Sequence, residues 1–160
     1  MTKGIEIKLK EGDKAPGFSV QSSGGEDVSL SDFKGKSVIL YFYPRDNTPG
    51  CTEEGRQFNE LHDLFRGLNC EIYGVSRDSL RSHENFKSKM GFSFELLSDE
   101  GEDLCNMFGV MKMKNMYGKQ VRGIERSTFV IDANGVVRRE WRGVKVPGHA
   151  REVLEFVRSM

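Results

Sequence analysis

Apolar residues fall along this chain in two rhythms, one of period two and one of three to four. Ile5, Ile7 and Leu9 alternate with Glu6, Lys8 and Lys10, which predicts an extended edge segment. Phe18-Ser19-Val20 and Val28-Ser29-Leu30 flank Gly24-Gly25 as a β-hairpin, and Ser31 to Lys36 forms a connector. Val38-Ile39-Leu40-Tyr41-Phe42 is an unbroken apolar run of β-branched and aromatic residues, the composition of a strand buried on both faces. Phe58, Leu61, Leu64, Phe65 and Leu68 then recur at helical steps and predict a helix with one buried face, ending near Gly67.

Glu71 to Ser76 reads as a second core strand, parallel to the first because a helix connects them. Leu80, His83, Phe86 and Met90 predict a helix over Ser79–Met90, stopped by Gly91. A short strand over Phe94–Leu97 and a short helix from Asp99 to Val110 follow, the latter with Leu104, Met107, Phe108 and Met111 on one face. Residues 112–124 are rich in Lys, Met and Gly without clear periodicity and read as a loop. Thr128–Ile131, the turn Asp132-Ala133-Asn134-Gly135 and Val136–Trp141 give strand, turn and strand, and Ala150, Val153, Leu154 and Val157 mark a closing amphipathic helix. The order predicts one α/β domain over residues 1–160, a mixed sheet covered by helices, in a thioredoxin-like arrangement with an N-terminal hairpin.

Charge and cysteine usage narrow the classes. Lys plus Arg and Asp plus Glu are 24 each, so no net field points to nucleic acid or an acidic membrane. No stretch approaches the roughly 20 apolar residues of a membrane span, and Met1 to Ile7 lacks a secretory apolar core. Three widely spaced cysteines do not form a secreted disulfide framework, so a cytoplasmic location is expected. His62, His83 and His149 show no ligand spacing with the cysteines, so neither a metal nor a cofactor is expected; each reads as a core or solvated residue.

The chemistry concentrates between the first core strand and the first long helix. Thr48 can cap, Pro49 suits the first helical position, and Cys51 then falls in the first turn. Unpaired N–H groups and the positive end of the helix dipole favour a thiolate there. A helix terminus is worth about 0.3–2 kcal/mol to an anion, so a cation from elsewhere in the chain is needed as well.

Pro44-x-x-x-Thr48-x-x-Cys51 resembles the peroxiredoxin active-site motif, and the longer Tyr41 to Thr52 stretch resembles the Q-type peroxiredoxins, or bacterioferritin comigratory proteins. Asp13-Lys14-Ala15-Pro16, Gly74-Val75-Ser76 and Arg126 to Asp132 extend the likeness over nearly the whole chain. The resemblance implies a thiol-dependent peroxidase for hydrogen peroxide or organic hydroperoxides, with Cys51 as the peroxidatic nucleophile that becomes a sulfenic acid. It assigns Thr48 to the thiolate and peroxide, Arg126 as the missing cation, Pro44 to shielding the pocket, and Glu54 to orienting the arginine.

The chain departs from its likeness at the second cysteine. Many Q-type members carry a resolving cysteine five residues after the first, where Arg56 stands, or in the following helix, near Lys87. One-cysteine behaviour is therefore expected, with an external thiol such as thioredoxin, glutaredoxin or glutathione as reductant. Gly55 is expected to ease local unwinding of the helix around Cys51. The alternative is a resolving Cys70 or Cys105. Met111, Met113 and Met116 leave a monomer or a weak homodimer open. A disulfide oxidoreductase would want a cysteine at position 54, which is Glu. A non-catalytic binding or holdase module would have no use for Thr48, Cys51 and Arg126 together.

Overall fold

The computed structural model describes residues 9–160. The alternating segment expected at the start of the chain lies outside these residues, save for Leu9, which is buried. Strands β1 (Ser19–Ser22) and β2 (Asp27–Ser29) form the expected hairpin, and a 3-10 turn (Leu30–Phe33) leads to β3 (Ser37–Phe42). Helix α1 (Pro49–Gly67), strand β4 (Cys70–Ser76), helix α2 (Leu80–Met90) and strand β5 (Glu95–Ser98) follow. Then come α3 (Asp103–Met107), β6 (Met111–Met116), β7 (Lys119–Ile124), β8 (Ser127–Ile131), β9 (Val137–Arg142) and α4 (His149–Arg158).

Among the described residues, seven strands make one sheet in the order β2-β1-β5-β4-β3-β8-β9. The expected parallel pairing of β3 with β4 is present, and β8 closes on the other side of β3 antiparallel. Successive residues of β3 point to opposite faces, so this one strand feeds two cores. Val38, Leu40 and Phe42 pack with Leu104, Phe108 and Phe129. Ile39 and Tyr41 pack with Phe58 and Phe65 of α1 and with Val153 and Leu154 of α4. This is a thioredoxin-like mixed α/β fold. Among the described residues, no helix is long and apolar enough to cross a membrane.

Residues 112–124 are not a loop. They form most of β6 and β7, a separate antiparallel hairpin. Its turn, Tyr117-Gly118, has φ of 54° and 81°, positive at both central positions as a two-residue hairpin turn requires. Nearly every residue on both faces is at least partly exposed, so alternation of polar and apolar positions never arose. Helix α3 is shorter than expected at both ends. Glu102 sits at φ 65°, outside helical geometry, and the buried Asp99 carboxylate accepts the N–H groups of Leu104 (3.0 Å) and Cys105 (2.8 Å). Gly109 at φ 63° follows the helix.

The buried face of α1 also differs from the expected stripe. Leu64 and Leu68 are 45% and 39% exposed, whereas Cys51, Glu54, Gly55, Phe58, His62 and Phe65 are buried. Polar residues occupy part of the inward face because each finds a partner. His62 Nδ1 lies 2.6 Å from Ser93 Oγ, and its ring meets Phe94 edge-on.

Candidate active site

Strand β3 ends where α1 begins, and the register of β8 brings the next functional group to the same spot. Phe42, the last residue of β3, pairs with Ser127, so Arg126 stands beside the loop that carries Cys51. Thr48 stands at the N-cap position of α1 in extended conformation (φ −100°, ψ 155°), with Pro49 in the first turn as expected from the sequence, but its side chain makes no capping hydrogen bond to the described residues. Cys51 follows in that first turn, buried.

Arg126 Nη2 lies 3.5 Å from Cys51 Sγ, and Nη1 donates to Glu54 Oε1 at 2.6 Å. The three groups form a chain in which Glu54 holds the guanidinium and the guanidinium faces the sulfur. Glu54 is almost fully buried, and its second oxygen, Oε2, has no hydrogen-bond partner among the described residues. Burial pushes the Glu54 carboxyl up to about 7, although Arg126 opposes the rise. Burial also works against the Arg126 charge, but Glu54 and Cys51 more than restore it and hold its pKa above the ordinary value.

The other two expected residues are placed differently. The Thr48 hydroxyl donates to the Arg45 carbonyl oxygen (2.8 Å) rather than to Cys51, so it braces the turn before α1. Pro44 is half-buried and lines a cleft with Arg45, Arg77, Asp78, Glu100 and Glu102.

Beneath the loop lies a polar network that sequence reasoning missed. Tyr43 Oη donates to Asp46 Oδ1 (2.5 Å), and Asp46 Oδ2 meets Ser82 Oγ and His83 Nδ1, each at 2.8 Å. His83 Nε2 contacts the Leu97 carbonyl oxygen (2.8 Å), and the Asp46 N–H donates to Asp78 Oδ2 (2.8 Å). Helix α2 thereby clamps the residues between β3 and Cys51. Asp46, Asp78 and His83 bring ligand-type atoms within 4.8 Å of one another; both Asp46 oxygens, both His83 ring nitrogens and Asp78 Oδ2 already serve hydrogen bonds. The sequence hinted at this only through Asp46 within the motif and His83 on the apolar face of α2.

Cys51, with its arginine at a helix N-terminus behind a Pro-x-x-x-Thr loop, can be compared with known proteins. The AhpC/TSA family matches residues 11–140. Peroxiredoxin Bcp of Xanthomonas campestris pv. campestris is 53% identical over 86% of each chain. The chain belongs to the peroxiredoxin Q/Bcp group of that family. Peroxiredoxin Bcp of Bacillus subtilis is 47% identical over 96% of this chain and 98% of its own. A solved structure of Xanthomonas campestris bacterioferritin comigratory protein, a study of its alkyl peroxide reduction activity, superposes with a TM-score of 0.85 at 50% identity, covering 89% of this chain and 90% of that one.

As a peroxiredoxin the protein is a thiol-dependent peroxidase, which takes a hydroperoxide as substrate and a thiol as reductant. The positions where Q-type relatives place a resolving cysteine are engaged in ion pairs. Arg56 bridges Glu53 and Glu60, and Lys87 Nζ contacts both Glu95 oxygens at 2.9 and 2.8 Å. Cys70 and Cys105 are both buried free thiols. Burial raises the pKa of each, Cys70 to about 12; for Cys105 the Asp99 carboxylate adds to the rise. Cys105 belongs to the core on the opposite side of the sheet from Cys51. Cys70 pairs with Ser37, the first residue of β3, and Cys51 lies beyond its last. Five residue steps at ~3.3 Å put roughly 16 Å between those levels.

Proposed function

We propose that this protein is a one-cysteine peroxidase for hydrogen peroxide and organic hydroperoxides, with Cys51 as the peroxidatic nucleophile. The observation that carries the reading is the contact of Arg126 Nη2 with Cys51 Sγ at the first turn of α1. The Cys51 thiolate attacks the terminal peroxide oxygen, the S–O bond forms as the O–O bond breaks, and the leaving alkoxide takes a proton to depart as water or an alcohol. Arg126 and the free N–H groups of the helix turn stabilise the charge that moves from sulfur to oxygen. Glu54 holds the arginine, Pro44 shields the Cys51 pocket, and Thr48 keeps the turn in shape through its bond to the Arg45 carbonyl oxygen. The alkyl peroxide reduction activity named for the Xanthomonas campestris relative supports organic hydroperoxides as substrates.

The one-cysteine reading is supported by the burial of Cys70 and Cys105 and by their distance from Cys51. A disulfide needs Cα atoms within about 7 Å. An external thiol then reduces the sulfenic acid: glutathione, glutaredoxin or thioredoxin. The protein works in the cytoplasm as a monomer or weak homodimer, the latter through the exposed Met113 and Met116.

Intact mass after one equivalent of hydrogen peroxide, without thiol, tests this in the wild type and in Cys51→Ser. A gain of one oxygen, about 16 Da, that requires Cys51 is the expected result. A loss of two hydrogens would assign a resolving role to Cys70 or Cys105 and overturn the one-cysteine mechanism. An unchanged mass would overturn the peroxidatic role of Cys51 and favour a binding or holdase module.

A further inference from the structure

The β6–β7 hairpin, residues 111–124, carries Lys112, Lys114, Lys119 and Arg122 and no carboxylate, in a chain whose charges otherwise balance. Its register sorts these cations. Lys112 pairs with Gly123, Lys114 with Val121, and Met116 with Lys119, so all three lysines share one face with Met116 and Val121. Arg122 lies on the other face, where it pairs with Glu102. Lys112 contacts Glu125 at 3.1 Å. Lys114 is different: its ammonium donates to the Ile124 carbonyl oxygen, two residues before Arg126. It is half-buried, and it feels the reacting centre. Burial and the Arg126 charge lower its pKa while Cys51 raises it. The carbonyl that holds this lysine thus lies two residues before the arginine that faces the sulfur.

We propose that this lysine face selects the reductant, binding a small carboxylate-bearing thiol of the glutathione class and directing its sulfur to the Cys51 sulfenic acid. The inference rests on Cys51 being the peroxidatic residue resolved from outside. Such a thiol carries carboxylates on both sides of its sulfur, and the lysines offer cations along one face of a hairpin whose second strand ends two residues before Arg126. Its thiol attacks the sulfenic sulfur, an S–S bond forms, the S–O bond breaks, and the oxygen leaves as water. A second thiol attacks the mixed disulfide, releasing reduced Cys51 and the oxidised thiol dimer. Hydrogen peroxide is neutral and gains nothing from the face.

The test follows the decay of the Cys51 sulfenic acid in a stopped-flow mixer with glutathione (an anion), 2-mercaptoethanol (neutral) and cysteamine (a cation). The quantity read is the ratio of the glutathione to the cysteamine rate constant, divided by the same ratio in a variant, so that intrinsic thiol reactivity cancels. Lys114→Gln is expected to lower the ratio roughly three- to tenfold, the effect of one unit charge a few ångströms from the reacting thiol in a watery site. Lys114→Arg restores it, and raising the salt lowers it in the wild type. Lys36→Gln, exposed just before β3 at the far end of the sheet, leaves it unchanged. An unchanged ratio in Lys114→Gln overturns the inference and leaves the role of Cys51 standing. Failure of any sulfenic acid to form on Cys51, or its capture by another cysteine of the chain, overturns both.

Discussion

A Cβ built on Gly50 would lie 3.1 Å from Arg126 Nη2, the atom that stands 3.5 Å from Cys51 Sγ. The guanidinium reaches the sulfur across the space that a side chain at position 50 would fill. Gly50→Ala should therefore shift the Arg126 guanidinium by a few tenths of an ångström relative to the sulfur while leaving the helix intact. The second-order rate of Cys51 oxidation by hydrogen peroxide is expected to fall about 3- to 10-fold, less than the ~100-fold that a misplacement of about 1 Å can cost. Thermal unfolding should change little. Stopped-flow fluorescence and a melting curve on the same sample check both halves.

Gly55 has a packing role. Its Cβ would meet Phe92 Cζ at 2.4 Å, deep in the core beneath α1. Gly55→Ala gains up to ~1 kcal/mol of helix propensity but forces the ring aside. A net loss of about 1–2 kcal/mol is expected, since overpacking costs ~1–3 kcal/mol. Phe92→Leu in the same chain should recover part of that loss, read from urea midpoints of the single and double variants.

Burial sets two titrations of opposite sign near the site. Glu54 has a folded pKa of about 7, above its ordinary 4.5, so the folded state binds its proton more tightly. Its contribution is fully present below 4.5 and is lost as pH rises through 7. His149, buried with Nε2 2.8 Å from Thr128 Oγ1, is pushed down to about 4 from 6.5. Its contribution grows as pH rises through that window. The two slopes oppose each other between 4.5 and 6.5. Glu54→Gln should remove the falling one, leaving stability that rises with pH from 4 to 6.5. Urea midpoints across that range are the measurement, and a flat profile in the variant would contradict the assignment.

The Asp46–His83 contact ties the loop before Cys51 to α2, with side chains 3% and 0% exposed. His83→Leu removes one of the three side-chain hydrogen bonds to the buried Asp46 carboxylate, leaving those from Tyr43 and Ser82, and a loss of about 1–3 kcal/mol is expected. In Asp46→Asn/His83→Gln both positions keep hydrogen-bonding groups and no charge is left unpaired. The double variant should be more stable than His83→Leu yet oxidise more slowly than wild type, because the loop is held less rigidly. Equilibrium unfolding and peroxide kinetics on the same three proteins separate the two effects.

Where burial contrast was strong, the sequence by itself determined the elements. The apolar run Val38–Phe42, the helix start at Thr48-Pro49 and the αL stop at Gly91 each act within a few residues, and the structure has each of them. The placement of a cysteine on a helix N-terminus was legible for the same reason. Position 126 could be matched to a motif, but its contact with Glu54 spans 72 residues, and only the antiparallel register of β8 on β3 creates it. The β6–β7 hairpin stayed hidden because both its faces meet water, which removes the alternation that reveals a strand. The inward face of α1 was misread because a buried histidine or glutamate is tolerable only with a partner from another element, here Ser93 and Arg126. Local chemistry is written in neighbouring residues; which charges and thiols meet is decided by strand register and packing.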